Sequence, residues 1–277
     1  MTITTPPARF TDLLAAEWLK LWSLRSIRWA LLATALVVVG MNVNAAWADH
    51  RNWPGYSEGL RAGFVPTWAI RDAFTDPAML VLVLAAGTIG AITLVGEYST
   101  GLIRTTFAAV PARRAVTAAK LLVLTPVMAA YGTVLSVVSF WLTQAVLSGR
   151  DAGLSFGYPG VWRALAASAL LPPVCAVVGL GIGALVRHAA TTVAATVAVL
   201  LLLPMLFSPD RPWTAFLHHA LPVMAWGRLT DLTDYGPLYM GPPVDYPATV
   251  TGSWIALAAW PLSAALLALW IVDRCDV

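Results

Sequence analysis

The amino-acid sequence predicts an all-α, polytopic membrane protein with six transmembrane helices, and two observations support this fold class. Six stretches lack any charged residue, and each has the roughly 20 residues that a helix needs to cross the hydrocarbon core of a bilayer. Charged residues make up only 11% of the chain, whereas soluble domains contain about 25%. Because a helix satisfies its backbone hydrogen bonds internally, it is the favoured structure inside hydrocarbon. We therefore predict one membrane domain over residues 1–277.

The uncharged stretches give the predicted spans and their irregularities. The spans cover about residues 29–48, 77–96, 121–147, 164–186, 190–208 and 251–272. Five prolines predict kinks or breaks within them: Pro126, Pro172, Pro173, Pro204 and Pro261. Gly179 and Gly183 form a G-x-x-x-G pair that permits close helix approach, and we favour packing within the chain over a dimer interface.

The distribution of charge predicts the orientation of the spans. With the N-terminus inside, the cytoplasmic segments (1–28, 97–120, 187–188 and 273–277) hold twice as many basic as acidic residues. The longer outside segments hold more acidic than basic residues. The positive-inside rule therefore predicts that both termini lie inside, in agreement with an even number of spans. Since the basic residues follow this rule, we expect no nucleic-acid partner.

Residues 10–26 are predicted to form an amphipathic helix on the inner membrane surface. Apolar side chains recur at helical spacing, and Asp12, Glu17 and Lys20 supply polar positions. Trp18, Trp22 and Lys20 suit the headgroup boundary. The alternative is a simple basic flank of the first span. The following apolar run is longer than that of a signal peptide, so we do not expect cleavage.

Residues 97–120 form the one sizeable cytoplasmic loop in this orientation. We predict a short helix over 100–109, a turn at Val110–Pro111 and then a helix that continues into span three. Such a compact, charged loop can receive a partner protein. Outside, the loops 49–76 and 210–245 are long and rich in Trp and Pro, and a short helix is predicted over residues 218–232.

Several kinds of chemistry are not expected. The two lysines, Lys20 and Lys120, are preceded by Leu19 and Ala119, so no P-loop for ATP can form. The uncharged spans contain no ionisable side chain, which argues against a proton-coupled carrier. We expect no metal site and no disulfide between the two cysteines. Polar side chains that are candidates for a substrate path are Asn42, Asn44, Thr93, Ser136, Ser139, Thr143 and Gln144.

Two segments resemble the permeases of ABC-2 type transporters. The first is Glu97-Tyr98-x-x-Gly101-x-Ile103-Arg104-Thr105-Thr106, followed by Val110-Pro111, Arg113-Arg114 and Ala118-Ala119-Lys120-Leu121. It is similar to the family's segment between spans two and three. The second, Ala16-Glu17-Trp18-Leu19-Lys20-Leu21, is similar to the family's opening, particularly in high-GC actinobacteria.

The resemblance implies a six-helix permease half in a bacterial cell membrane. It would pair with a second permease copy and with two separate ATP-binding cassette subunits, which would bind ATP and Mg²⁺, so that this chain binds no cofactor and is not an enzyme. Membrane lipids would surround it.

The resemblance also implies roles for the loop residues. The coupling loop would comprise Glu97, Tyr98, Gly101, Arg104, Thr105, Arg113 and Arg114. Glu97 would stabilise the loop through an ion pair with Arg104. The arginines would contact the ATPase or anionic headgroups, and plain positive-inside anchoring is the alternative.

The function that we predict is export of a hydrophobic or amphipathic compound, driven by ATP hydrolysed on a separate subunit. The alternatives are a membrane scaffold or assembly protein without transport activity and, ranked lower, a secondary transporter. A membrane enzyme ranks last.

Overall fold

The structure, a computed structural model, describes residues 9–236 and 245–274, and within them it contains helices and no strand. Six helical segments are long and apolar enough to cross a membrane: Arg25–Gly55, Ala69–Ser99, Arg113–Ser148, Val161–Val186, Ala189–Leu206 and Val250–Arg274. The predicted all-α fold with six candidate spans is therefore confirmed, and the chain has the helices of a multi-pass membrane protein.

In chain order the α-helices are α1 (Phe10–Ser23), α2 (Arg25–Asn52), α3 (Glu58–Thr67), α4 (Ala69–Ala73), α5 (Asp76–Ser99), α6 (Leu102–Ala109), α7 (Arg113–Ser148), α8 (Val161–Val186), α9 (Ala189–Val197), α10 (Pro212–His219), α11 (Pro222–Thr230) and α12 (Val250–Arg274). A 3₁₀ turn, Trp53–Gly55, follows α2. A π turn, Ala198–Leu202, and a 3₁₀ turn, Leu203–Leu206, extend α9. The single helix predicted over 218–232 is instead the α10–α11 pair.

Local sequence explains several helix ends. Thr75 caps α5, since its hydroxyl accepts a hydrogen bond from the Ala78 N–H, and Pro77 occupies the first turn, where no N–H is needed. Gly101 precedes α6 with φ of 72°, a left-handed conformation that glycine adopts without steric cost. The short helix α6 begins two residues after the predicted position, and α7 follows the Val110–Pro111 turn as predicted.

The spanning helices are longer than the uncharged stretches of sequence. Helix α7 begins at Arg113, eight residues before predicted span three, and the second candidate span begins at Ala69. These helices therefore carry charged residues, and Asp72, Glu97 and Lys120 are buried. The uncharged stretches themselves hold no ionisable side chain, and the charged residues lie on helical turns beyond them, because caps and backbone hydrogen bonds, rather than charge, end a helix.

Helix α8 lies at the centre of the bundle, where it packs against α5, α7, α9, α11 and α12. Glycines let these backbones approach. A Cβ at Gly179 would lie 2.1 Å from the Gly87 carbonyl oxygen on α5, and one at Gly183 would lie 2.9 Å from a Val95 methyl carbon. Gly179 and Gly183 thus both lie at the contact between α8 and α5.

The proline predictions have a mixed outcome. Pro204 lies where the fifth span changes from α-helix to π and 3₁₀ turns, so the break predicted there is confirmed. Pro126, Pro172, Pro173 and Pro261 lie inside uninterrupted helices. No break occurs at these four positions, and a kink there stays a prediction.

The bundle has two distinct ends, which we name by a buried residue at each. At the Glu97 end, Arg114 at the start of α7 pairs with Asp273 near the end of α12 at 2.6 Å. At the Arg228 end, the Arg150 Nε donates to the His50 carbonyl oxygen at 3.2 Å, joining the ends of α2 and α7. Helix α1, the α6 segment and the end of α12 all lie at the Glu97 end.

Candidate functional site

Four charged side chains from three helices meet at the Glu97 end. Glu17 and Lys20 come from α1, Glu97 from the last turns of α5, and Lys120 from the first turns of α7. They comprise both lysines of the chain and two of its three glutamates. We call Glu17, Lys20, Glu97 and Lys120 the charge cluster.

The charge cluster is a closed set of ion pairs. The Lys120 Nζ lies 2.5 Å from Glu17 Oε2 and 2.8 Å from Glu97 Oε1. The Lys20 Nζ lies 2.7 Å from Glu17 Oε1 and 3.0 Å from Glu97 Oε1. Each lysine therefore bridges both glutamates, and the formal charge of the cluster is zero. The cluster fastens α1 to α5 and α7.

Most of the charge cluster is removed from solvent. Glu17, Glu97 and Lys120 are each no more than 6% exposed, whereas the Lys20 side chain is 31% exposed. Burial opposes the charged form of Lys20, but hydrogen bonds and charges from Glu17 and Glu97 outweigh it and raise the pKa of Lys20 above its usual value. Lys20 therefore keeps its positive charge in the folded protein, where it pairs with Glu17 and Glu97.

The orientation of α1 differs from the simple amphipathic prediction. Glu17, expected on the polar face of the helix, is buried together with Leu21, while Trp18 is 49% exposed. The rings of Trp18 and Trp22 contact edge to face, with centroids 5.7 Å apart. Glu17 faces the bundle because Lys20 and Lys120 neutralise it there.

A cavity of about 330 Å³ lies beside the charge cluster, between α1, α5 and α7. All four cluster residues line it, and its other walls are largely apolar, with Leu21 on α1 and Leu124 on α7. Glu97 Oε1 accepts hydrogen bonds from both lysines, whereas Glu97 Oε2 is buried and has no hydrogen-bond partner among residues 9–236 and 245–274. A residue that lines the cavity therefore has an unused, buried acceptor oxygen.

The expected ion pair between Glu97 and Arg104 is replaced by the pairs of Glu97 with Lys20 and Lys120. Arg104 follows the Gly101 turn and is exposed on α6, so it points away from the buried carboxylate. Glu97 itself is 6% exposed, which leaves little surface for contact with a partner protein. The sequence signal that could have indicated these pairs is the presence of lysine at positions 20 and 120 in a chain that otherwise uses arginine. A compact lysine ammonium can bond two carboxylates at once.

The other predicted coupling residues divide between the surface and the bundle. Helix α6 buries Ile103 and Phe107 and exposes Arg104 and Thr105. The Arg113 guanidinium lies 5.4 Å from the centre of the Phe107 ring.

Two further coupling residues contact neighbouring segments. Arg187 lies in the connection between α8 and α9, and its guanidinium is 5.5 Å from the centre of the Tyr98 ring. Arg114 is exposed and paired with Asp273. Arg104, Thr105 and Arg114 are thus exposed at the Glu97 end.

Most polar residues predicted to line a substrate path instead support the fold. The Asn42 amide donates to the Ser139 hydroxyl at 3.2 Å and accepts from Thr75, the cap of α5. The Gln144 amide donates to the Ala69 carbonyl and accepts from the Leu154 N–H. Of the predicted set, Thr93 lines the cavity beside the charge cluster.

A second cavity, of about 460 Å³, lies at the Arg228 end between α4, α5, α10 and α11. Arg228 donates to the Ala248 carbonyl at 2.7 Å and pairs with Asp234 at 2.9 Å. Burial opposes ionisation of Asp234, but Arg228 and Arg163 outweigh it and hold the pKa of Asp234 below its usual range. Arg228 was not among the predicted site residues, because nothing in its local sequence indicates burial.

His218 and His219 border the second cavity. Burial, together with the charge of His219, lowers the pKa of His218. Among residues 9–236 and 245–274, no group of three or more His, Cys, Asp or Glu side chains is placed to hold a metal ion. Cys175 is buried and free, and Cys275 lies outside the described residues.

The chain is thus a helical bundle with six candidate membrane spans, one end of which is held together by buried ion pairs. Comparison with protein-family models gives no match, and none of the curated proteins compared with the chain matches it.

Proposed function

We propose that this chain is the permease subunit of an ATP-driven transporter of the ABC-2 type. In this proposal the Glu97 end faces the cytoplasm, both termini lie inside, and α1 rests at the inner membrane surface. The transporter exports a hydrophobic or amphipathic compound from a bacterial cell. The ATP is bound and hydrolysed by separate cassette subunits, and a second permease copy completes the pathway.

The charge cluster is the observation that carries this proposal. Helix α6 is joined to the end of α5 through the Gly101 turn, and Glu97 lies four residues before that turn. A displacement of α6 is therefore passed to α5 at Glu97. Through Lys20 and Lys120 it passes on to α1 and α7. A short exposed helix anchored in this way can transmit the movement of a bound protein to the spanning helices.

The exposed face of α6 supports a protein contact at this end. Arg104 and Thr105 are exposed, while Ile103 and Phe107 hold the opposite face of the helix on the bundle. An arginine on a rigid exposed helix can bond a carboxylate with two parallel hydrogen bonds. The ATPase surface that receives α6 would accordingly carry acidic side chains.

Co-purification tests the proposed contact. The tagged chain is expressed together with any P-loop ATPase that a neighbouring reading frame encodes, and ATP hydrolysis by the complex is measured in nanodiscs. We expect Arg104→Glu to reduce the recovered ATPase at least about tenfold, since it introduces repulsion. Arg51→Glu changes an exposed arginine at the Arg228 end and is the matched control. Equal recovery of the ATPase with both variants contradicts the coupling role of α6.

An ion-coupled carrier is the second candidate, and Asp72 is the observation that favours it. This carboxylate lies in the second candidate span, is 6% exposed, and its Oδ2 has no hydrogen-bond partner in the described part of the chain. Ionisable side chains buried within membrane-spanning helices commonly bind protons or cations. Transport by vesicles that contain this chain alone, driven by a proton gradient without ATP, would favour the carrier.

A further inference from the structure

One carboxylate oxygen beside the charge cluster, on a residue that lines the cavity, receives no hydrogen bond from the described residues. Glu97 is 6% exposed, and its Oε1 accepts from Lys20 at 3.0 Å and from Lys120 at 2.8 Å. Its Oε2 is buried without a partner in the described residues. Because a buried carboxylate oxygen is costly when it receives no hydrogen bond, a ligand with an N–H group would complete the site.

Lys20 offers the opposite group on the same cavity. An ammonium has three N–H donors, and the carboxylates of Glu17 and Glu97 accept two of those of Lys20. The Lys20 side chain is 31% exposed and lines the cavity, so its third N–H is available to an anionic ligand atom. Two residues that line the cavity thus carry unused groups: a buried acceptor oxygen on Glu97 and an exposed donor on Lys20.

The remaining wall of the cavity is apolar and reaches the outside of the bundle. Leu24, Ile92 and Leu102 line it and are each more than 40% exposed. A volume of about 330 Å³ lies at the lower end of the range for small-molecule sites, so the cavity accommodates a polar headgroup but not a whole lipid. Acyl chains of a bound amphiphile would continue along the exposed apolar residues.

We propose that this cavity binds the headgroup of a membrane phospholipid that carries a primary ammonium. The ammonium donates to Glu97 Oε2, and the phosphate accepts from the Lys20 Nζ. Since the charge cluster has no net charge, it favours a zwitterion over an anionic lipid. A quaternary ammonium has no N–H and leaves Glu97 Oε2 without its donor. The proposal concerns lipid recognition and holds whether or not an ATPase binds at α6.

Lipid selectivity is the property to measure. The full chain is purified from mixed micelles with equimolar phosphatidylethanolamine, phosphatidylcholine and phosphatidylglycerol, and bound lipid is counted by native mass spectrometry. We expect phosphatidylethanolamine to exceed phosphatidylcholine about tenfold, the effect of one hydrogen bond to a charged group. Equal retention of these two lipids, or a preference for phosphatidylglycerol, would overturn the proposal.

A cavity-filling variant keeps the test independent of the charge cluster. Gly96 lines the cavity, and the nearest atom to a Cβ built there is an Ile92 methyl carbon at 4.0 Å, so Gly96→Leu fits while all four charges remain. Gly40→Leu is the matched control on α2, where a Cβ meets nothing within 4 Å. We expect Gly96→Leu to abolish the preference for phosphatidylethanolamine and Gly40→Leu to retain it. An unchanged preference in Gly96→Leu would place the lipid elsewhere.

Discussion

Lys20 and Lys120 lie on different helices and donate hydrogen bonds to the same atom, Oε1 of Glu97, at 3.0 and 2.8 Å. Both also reach Glu17, each through a different oxygen. The two lysines thus hold two carboxylates in a set of alternating charges, and removing any one member leaves an uncompensated charge. The arrangement stabilises one relative position of α1, α5 and α7.

Replacement of Lys120 should be strongly destabilising. Lys120→Met leaves Glu17 and Glu97 with Lys20 alone, and breaking a buried ion pair on one side costs about 3–5 kcal/mol. We expect a corresponding fall in the free energy of unfolding, measured by tryptophan fluorescence in detergent. Lys20→Met is the control and should cost less, because the Lys20 side chain is 31% exposed. Equal losses in the two variants would contradict the unequal burial.

The two glycines of the G-x-x-x-G pair should differ in their tolerance of alanine. At Gly179 the new Cβ meets the Gly87 backbone oxygen at 2.1 Å, so α5 and α8 must move apart, at a cost of about 3 kcal/mol. At Gly183 the nearest atom is a Val95 methyl carbon at 2.9 Å and the nearest backbone atom is the Ala91 oxygen at 3.4 Å, so the backbones need not separate as far and the cost should be smaller, about 1 kcal/mol. Thermal unfolding of both variants measures the difference.

The matched control for these substitutions is Gly40→Ala, whose Cβ meets nothing within 4 Å. It should leave the thermal midpoint unchanged or raise it slightly, since alanine has the higher helix propensity. A similar loss in all three variants would show that the α5–α8 contact is not responsible.

Acidification should weaken the Arg228 end through His218. Burial and the charge of His219 lower the pKa of His218 in the folded state, so the unfolded chain takes up the proton first as the pH falls. The stabilisation is fully present above the unfolded pKa, near 6.5, and is lost as the pH falls through the folded pKa. The thermal midpoint of the wild type should therefore fall relative to that of His218→Gln between pH 7 and 5.

His188→Gln, at an exposed position at the other end of the bundle, controls for the loss of a histidine as such. If the midpoints of the wild type and His218→Gln change in parallel with pH, then His218 does not carry the effect.

Cysteine labelling tests the proposed orientation. In a background with Cys175→Ala and Cys275→Ser, Ala108→Cys places a thiol on the exposed face of α6, and Glu58→Cys places one on α3 near the other end. A membrane-impermeant maleimide added to intact cells should label Glu58→Cys and leave Ala108→Cys unlabelled. Labelling of Ala108→Cys alone would reverse the orientation and remove the ATPase contact.

The number of spans and the layout of the α6 segment follow from local sequence. Hydrocarbon requires about 20 apolar residues per span, a property visible without knowledge of the fold. Gly101 and Pro111 similarly delimit α6 because their backbone preferences act within a few residues. Helix ends were less predictable. The second candidate span begins at Ala69, before the uncharged stretch, because helical hydrogen bonds tolerate charged side chains.

By itself, the sequence determined the all-helical class, the six candidate spans and the absence of a P-loop lysine. Only the tertiary structure decided that Glu17 is buried and that Glu97 pairs with Lys20 and Lys120 rather than Arg104. The physical reason is that an ion pair depends on which helices adjoin and which faces they share. Hydropathy reports the free energy of transferring one segment out of water. The ion pairs of Glu17 and Glu97 depend instead on how α1, α5 and α7 pack together.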